Sequence, residues 1–264
     1  MATFERYEHG HFCWVDLSSH DQNKAETFYK NVFGWEATRE ATPMGEYIMF
    51  TSGGKQVAGC GQLSEEMIKG GMPSLWNSYI NVDDVDAVAS KVKELGGQLA
   101  MDPFDVMEHG RMTFITDPTG AAVGLWQAKG HFGAAIANIP VSLAWNELLT
   151  RDVDGAKKFY SELLGWSYNE TPNPAAGGTY NTIMNKERAN GGIMAMAGPQ
   201  FENIPPHWGA YFAVESVEDT VEKVKQNEGK LLMPPMDIPE VGRMAALMDC
   251  TGAAFTAIKL INPE

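Results

Sequence analysis

Apolar and polar positions along the chain follow two rhythms. Residues 11–17 form a run of apolar and aromatic side chains that predicts a strand. Beyond Asp21, a helix-capping residue type, Ala25, Phe28, Tyr29 and Val32 fall at i, i+3, i+4 and i+7, one apolar stripe on a helix that Gly34 closes. Short β-type runs follow near 35–39, 46–52 and 56–63, separated by Pro43, Gly45 and Gly53-Gly54. The order then restarts. Leu75–Val82 predicts a strand, and Asp83 or Asp84 caps a helix carrying Val85, Val88, Val92 and Leu95 that stops at Gly96-Gly97. Strands are expected near 98–101, 111–116 and 121–127, with Asp117-Pro118-Thr119-Gly120 as a turn. The unit βαβββ thus occurs twice before residue 128.

It then occurs twice more. Trp14-Val15-Asp16-Leu17, Phe28-Tyr29 and Gly34-Trp35 return as Trp145-Asn146-Glu147-Leu148, Phe159-Tyr160 and Gly165-Trp166 at one constant offset. Trp76, Tyr79, Gly97, Gly110-Arg111-Met112, Asp117 and Gly120-Ala121 return as Trp208, Tyr211, Gly229, Gly242-Arg243-Met244, Asp249 and Gly252-Ala253, one residue further on. A single insertion across about a hundred residues marks a duplicated domain. The second copy repeats the helical stripes, with Ala156, Phe159, Tyr160 and Leu163, then Val217, Val221 and Val224. Pro234-Pro235 and Asp249-Cys250-Thr251-Gly252 are expected turns. Two α+β domains are therefore expected at 10–127 and 141–260, joined by a Gly- and Ala-rich linker at 128–140. A chain of 264 residues gives each enough mass for its own core.

Paired βαβββ modules with Phe-Tyr near the end of the first helix, Gly-Trp after it and Asp-Pro-x-Gly before the last strand resemble the vicinal oxygen chelate superfamily. This is the glyoxalase, bleomycin-resistance and extradiol-dioxygenase group, and the Trp-x-Asp/Glu-Leu start with the Phe-Tyr and Gly-Trp pairs looks like that of tandem two-domain glyoxalase-like proteins of bacteria. The resemblance implies that each pair of modules forms one curled mixed sheet around a ligand cup. It does not imply one reaction, because the fold hosts lyases, isomerases, dioxygenases and plain binding proteins.

Composition narrows the partners. A formal charge of −14 argues against nucleic acid and, more weakly, against anionic membrane surfaces. No run approaches the roughly 18 apolar residues of a membrane span, and the N-terminal residues carry no signal-like apolar stretch, so a cytoplasmic location is expected. Cys13, Cys60 and Cys250 are odd in number and widely spaced, which fits reduced, buried thiols. The 15 Met residues fit adaptable packing around a cavity. The expected partner is a small-molecule ligand, and the expected state is a monomer with internal pseudo-symmetry or a homodimer.

Enzymes of the superfamily hold a divalent metal with His and Glu side chains from the first and last strands of each module. Carried onto this chain, those slots fall on Trp14 and Trp145, near Asn77 and Gly209, and on Gly124 and Thr256. Residues 121–127 and 253–259 contain no Asp, Glu or His, so the expectation is that no cofactor is bound. A divalent ion on a non-standard pair, Glu147 with His207, is the alternative. His9 and His11 are expected in a solvated N-terminal extension.

With indoles in the metal slots, the cups become aromatic-lined pockets for a flat or apolar molecule. Trp14, Trp145, Asn77, Tyr79, His207, Tyr211, Arg111 and Arg243 are the candidate ligand-binding residues, against the alternative that the large aromatics are core and the arginines form surface ion pairs. Asp16 and Glu147 are the candidate catalytic groups: a carboxylate buried beside Trp145 would have a raised pKa and could act as a base. The expected function is small-molecule binding of the glyoxalase/bleomycin-resistance type. The alternative is a lyase, isomerase or dioxygenase, either metal-dependent through a non-standard site or metal-free with Glu147 as base.

Overall fold

The computed structural model describes residues 2–173 and 178–262. After a short β1 (Ala2–Thr3), the first module comprises β2 (Phe12–Ser19), α1 (Gln22–Phe33), β3 (Glu36–Thr42), β4 (Gly45–Ser52) and β5 (Lys55–Gln62). A short helix α2 (Glu65–Lys69) leads to β6 (Leu75–Asn81), α3 (Val85–Glu94), β7 (Gln98–Leu99), β8 (Phe104–Val106), β9 (Gly110–Thr116) and β10 (Ala122–Ala128). The linker holds β11 (Ile136–Ala137), which pairs with β1. The second domain runs β12 (Leu143–Thr150), α4 (Val153–Leu164), β13 (Ser167–Asn173), β14 (Gly178–Asn185) and β15 (Arg188–Ala195). It continues with β16 (His207–Ala213), α5 (Val217–Gln226), β17 (Lys230–Ile238), β18 (Gly242–Met248) and β19 (Ala254–Leu260).

The helix boundaries have local causes. The Asp21 carboxylate accepts the Asn23 and Lys24 amides at the start of α1, and Gly34 ends it in the left-handed region at φ 72°. Asp152 and Gly165 do the same for α4.

Each domain is one open mixed sheet. The first has the order β3-β4-β5-β2-β6-β10-β9-β7, with β8 on β9; the second has β13-β14-β15-β12-β16-β19-β18-β17. β2 is parallel to β5 and antiparallel to β6, so the two modules of a domain meet along the β2–β6 seam; β12 and β16 form the matching seam.

The helix-bearing faces of the two sheets meet, and the apolar cores are shared between the domains. One core joins Phe28, Tyr29, Phe33, Trp35 and Trp76 to Phe212, Val221 and Phe255. The other joins Ile80, Val92 and Ile115 to Phe159, Tyr160, Trp166 and Trp208. Gly229 recurs from Gly97 because a Cβ there would stand 3.0 Å from the Phe28 ring and 2.7 Å from the Met248 carbonyl oxygen.

Two expectations change. The N-terminal extension is not a solvated tail. The Trp166 indole donates to the Gly10 carbonyl at 2.8 Å, Asn185 bonds the His9 carbonyl, and His11 is 8% exposed. The cause is the pseudo-symmetry, since the Trp35 indole donates in the same way to Val141, which leads into β12. Pro234-Pro235 is not a turn but lies within β17. That strand is an edge, and its register shifts between Met233 and Met236, so the missing amide donors leave no ladder bond unmade.

Candidate functional site

The cups lie on the helix-free faces. Strand alternation places Trp14 and Asp16 there, while Val15 and Leu17 enter the shared core. Tyr79 stands opposite Trp14, and Asn77 opposite Asp16. The Asp16 carboxylate accepts from Asn77 Nδ2 at 2.8 Å, from the Tyr79 hydroxyl at 2.9 Å and from the Tyr47 hydroxyl at 3.3 Å. The Trp14 indole donates to that Tyr47 hydroxyl at 3.2 Å.

Tyr47 reaches Asp16 across an intervening strand. β5 lies between β4 and β2, and Gly59 of β5 pairs with Asp16. A Cβ at Gly59 would sit 1.9 Å from the Tyr47 hydroxyl oxygen, so only glycine lets the phenol lie flat over the strand.

The second cup repeats this arrangement with a longer carboxylate. The Tyr211 hydroxyl donates to Glu147 Oε2 at 2.5 Å, and the Tyr180 hydroxyl lies beside the same carboxyl group. The Trp145 indole donates to the Tyr180 hydroxyl at 2.9 Å. Gly192 opens the path, since a Cβ there would lie 2.0 Å from the Tyr180 hydroxyl oxygen. Gly209 replaces Asn77 as the cross-strand partner.

Burial raises the pKa of both carboxyl groups. For Asp16, desolvation outweighs the bonds from Asn77, Tyr79 and Tyr47; for Glu147, it outweighs those from Tyr211 and Tyr180. Glu147 is 5% exposed, whereas Asp16 retains partial exposure. Burial first, and the neighbouring carboxylates second, push the tyrosines Tyr47, Tyr79, Tyr180 and Tyr211 well above their ordinary range. Each cup therefore presents a carboxyl group suited to accepting a proton or a hydrogen bond, set among neutral phenols.

The predicted residues separate into groups. Trp14, Asp16, Asn77 and Tyr79 converge in the first cup, and Trp145, Glu147 and Tyr211 in the second. His207 stands two cross-strand pairs beyond Glu147, opposite Leu149, with its Nδ1 2.9 Å from the Pro205 carbonyl oxygen. Arg111 and Arg243 point to the helix side. Arg111 bonds Asp86 at 2.7 Å and 2.9 Å, and Arg243 bonds Glu218 at 2.6 Å and Asp237 at 2.9 Å. Tyr47 and Tyr180 are not among the candidates that the sequence offers, yet both phenols lie at the cup carboxylates. The available signal was the glycine opposite each cup carboxylate.

The sequence profile of the Glyoxalase/Bleomycin resistance protein/Dioxygenase superfamily matches residues 11–125 and again 142–256. The chain belongs to that superfamily. This superfamily member is 43% identical to the putative glyoxylase CFP32 of Mycobacterium tuberculosis over 98% of both chains. It is 32% identical to the anthracycline biosynthesis protein DnrV of Streptomyces peucetius, over 97% of this chain and 95% of that one. The 2,3-dioxygenase LapB from Pseudomonas sp. KL28 shares the fold with a TM-score of 0.66 at 14% identity, covering 96% of this chain and 93% of that one. The Mn(II)-bound glyoxalase from Novosphingobium aromaticivorans shares it with a TM-score of 0.63 at 17% identity, covering 97% and 86%.

The Mn(II) glyoxalase corrects the expectation of no cofactor: a chain of this fold holds a divalent ion, so indoles in the usual slots do not establish a metal-free member. This chain contributes one carboxylate per cup, already bonded by tyrosines, and no cluster of three or more His, Cys, Asp or Glu is present among the described residues. That donor set does not match a metal held by protein side chains alone.

Proposed function

We propose that the protein binds a small hydrophobic or aromatic molecule in its cups, orienting one polar edge of that molecule against the carboxyl–tyrosine cluster. The observation that carries this reading is Glu147, a buried carboxyl group bonded by Tyr211 beside the half-buried indole of Trp145. Apolar walls supply affinity for a flat body, and a few fixed polar groups supply orientation. The relative named for anthracycline biosynthesis supports a ligand with a polycyclic aromatic body. The test is quenching of tryptophan fluorescence by hydroxylated polycyclic aromatics. Saturable quenching that weakens at least tenfold in Trp145→Ala is expected, and an unchanged curve in that variant removes Trp145 from the site.

The raised pKa of Glu147 favours a second reading, a lyase or isomerase in which this carboxylate takes a proton from the bound molecule. Turnover that survives Glu147→Gln would rule it out.

A further inference from the structure

The two cups are built alike but are filled differently. The linker docks against the first. Ala134 N donates to the Cys13 carbonyl at 2.8 Å, and the Trp126 indole donates to the His131 carbonyl at 2.9 Å. Gly133, at φ +119°, passes so close to β2 that a Cβ would stand 2.3 Å from the Cys13 carbonyl oxygen. This places the His131 ring edge-on to Trp14, with centroids 4.6 Å apart and planes at 83°. Trp14 is left 5% exposed.

Among the described residues, the second cup lacks each of these features. The residue in register with Trp126 is Ile258, which has no donor to hold a linker carbonyl. Met49 and Phe114, which close on the first cup, are replaced at the same registers by Thr182 and Ala246. A Cβ at Gly209 would meet nothing nearer than 3.8 Å, so there is space beside Glu147 where Asn77 fills the first cup. Trp145 keeps exposed surface, and among the described residues no ring packs on it as His131 packs on Trp14.

We propose that His131 is a built-in occupant of the first cup's aromatic platform, and that ligand binding falls to the second cup, where Trp145 offers the same platform to a ring from outside. This deepens the small-molecule reading above and rests on it. The built-in occupant also describes the external one. His131 is a flat ring, held neutral at pH 7 because burial, with His109 adding and Glu40 opposing, pushes its pKa down to about 4. The ligand for the second cup is accordingly a neutral planar ring system that meets the indole of Trp145 edge to face and carries a hydroxyl or carbonyl within reach of Glu147.

The test labels the 7 tryptophans with 5-fluorotryptophan and follows ¹⁹F resonances, with Trp14→Phe and Trp145→Phe assigning the two that matter. The probe is 2-naphthol. In the wild type it is expected to shift the Trp145 resonance saturably and leave that of Trp14 unmoved. His131→Ala is expected to shift the Trp14 resonance without ligand and to make it respond to 2-naphthol; His131→Phe, which keeps a ring on the platform, is expected not to. The wild-type titration decides even where a variant folds poorly. Both resonances responding overturns the division of the cups and leaves the binding reading standing. Neither responding overturns the binding reading as well, and a Trp14 resonance unmoved by His131→Ala removes His131 from the platform.

Discussion

The Tyr29 hydroxyl of the first domain donates a 2.9 Å hydrogen bond to Asp249 Oδ2 of the second. Its counterpart is the 3.1 Å bond from Tyr160 to Asp117. The indoles of Trp76 and Trp208 donate to the same two phenols, at 2.9 Å and 3.1 Å. The helix tyrosine and the turn aspartate of the repeat are thus two halves of one interdomain latch, formed twice. Each aspartate uses its other oxygen to hold its own turn, as Asp249 Oδ1 does with the amides of Thr251 and Ala253.

Tyr29→Phe should therefore cost more than a hydroxyl on the surface. It strips partners from the Trp76 N–H and from Asp249, which is 3% exposed. A loss of about 1–3 kcal/mol is expected in urea denaturation. Tyr160→Phe should cost a similar amount, and the double variant should approach the sum because the two latches sit in separate cores.

Gly192→Ala should act on the second cup through Tyr180. The added methyl collides with the phenol, displacing the hydroxyl from Glu147 and from the Trp145 indole. A fall of at least tenfold in affinity for a hydroxylated aromatic is expected, about 1.4 kcal/mol or more. Gly59→Ala should leave that affinity unchanged, because its clash is confined to Tyr47 in the first cup.

Glu147 should make stability depend on pH. Its folded pKa is raised, so the folded state holds this proton more tightly than the unfolded chain. Its contribution is fully present below the ordinary carboxylate range and is lost as pH rises through the folded pKa. The Tm of the wild type relative to Glu147→Gln should therefore decline as pH rises above the ordinary carboxylate range and level off once the folded carboxyl group has ionised. A flat difference would mean that the carboxyl group is not held as the structure places it.

His131 has the opposite sign. Its folded pKa is about 4, against an ordinary 6.5, so protonation favours the unfolded chain. Stability is whole above pH 6.5 and falls as pH drops toward 4, by up to about 3 kcal/mol for this group. His131→Phe should remove that slope, read as the difference in Tm between the two proteins at pH 7 and pH 5.

Much of this architecture could be read along the chain. The repeat, the capping aspartates, and the inward face of Trp14 and Asp16 all follow from spacing and alternation. What spacing could not tell was which copy a repeated residue touches. Phe28-Tyr29 and Trp35 look like local core, yet their partners are Phe255, Asp249 and Val141 in the other half. Tyr47 was hidden because its partner lies two strands away, and sequence distance does not encode strand order. Arg111 was readable in retrospect. It alternates with Met112, which faces the cup, so the guanidinium had to face the helix layer and Asp86. Pro234-Pro235 misled because proline is a turn signal everywhere except on a free sheet edge.

The shared cores also bear on how a duplicated protein ages. Each sheet contributes its back to both cores, so removing either half would expose half of each core to water. A cup that stops binding anything cannot be discarded with its domain. Natural selection on folding alone would keep the silent half in place, and would leave only its outward face, around Asn77, Phe114 and Trp126, free to drift.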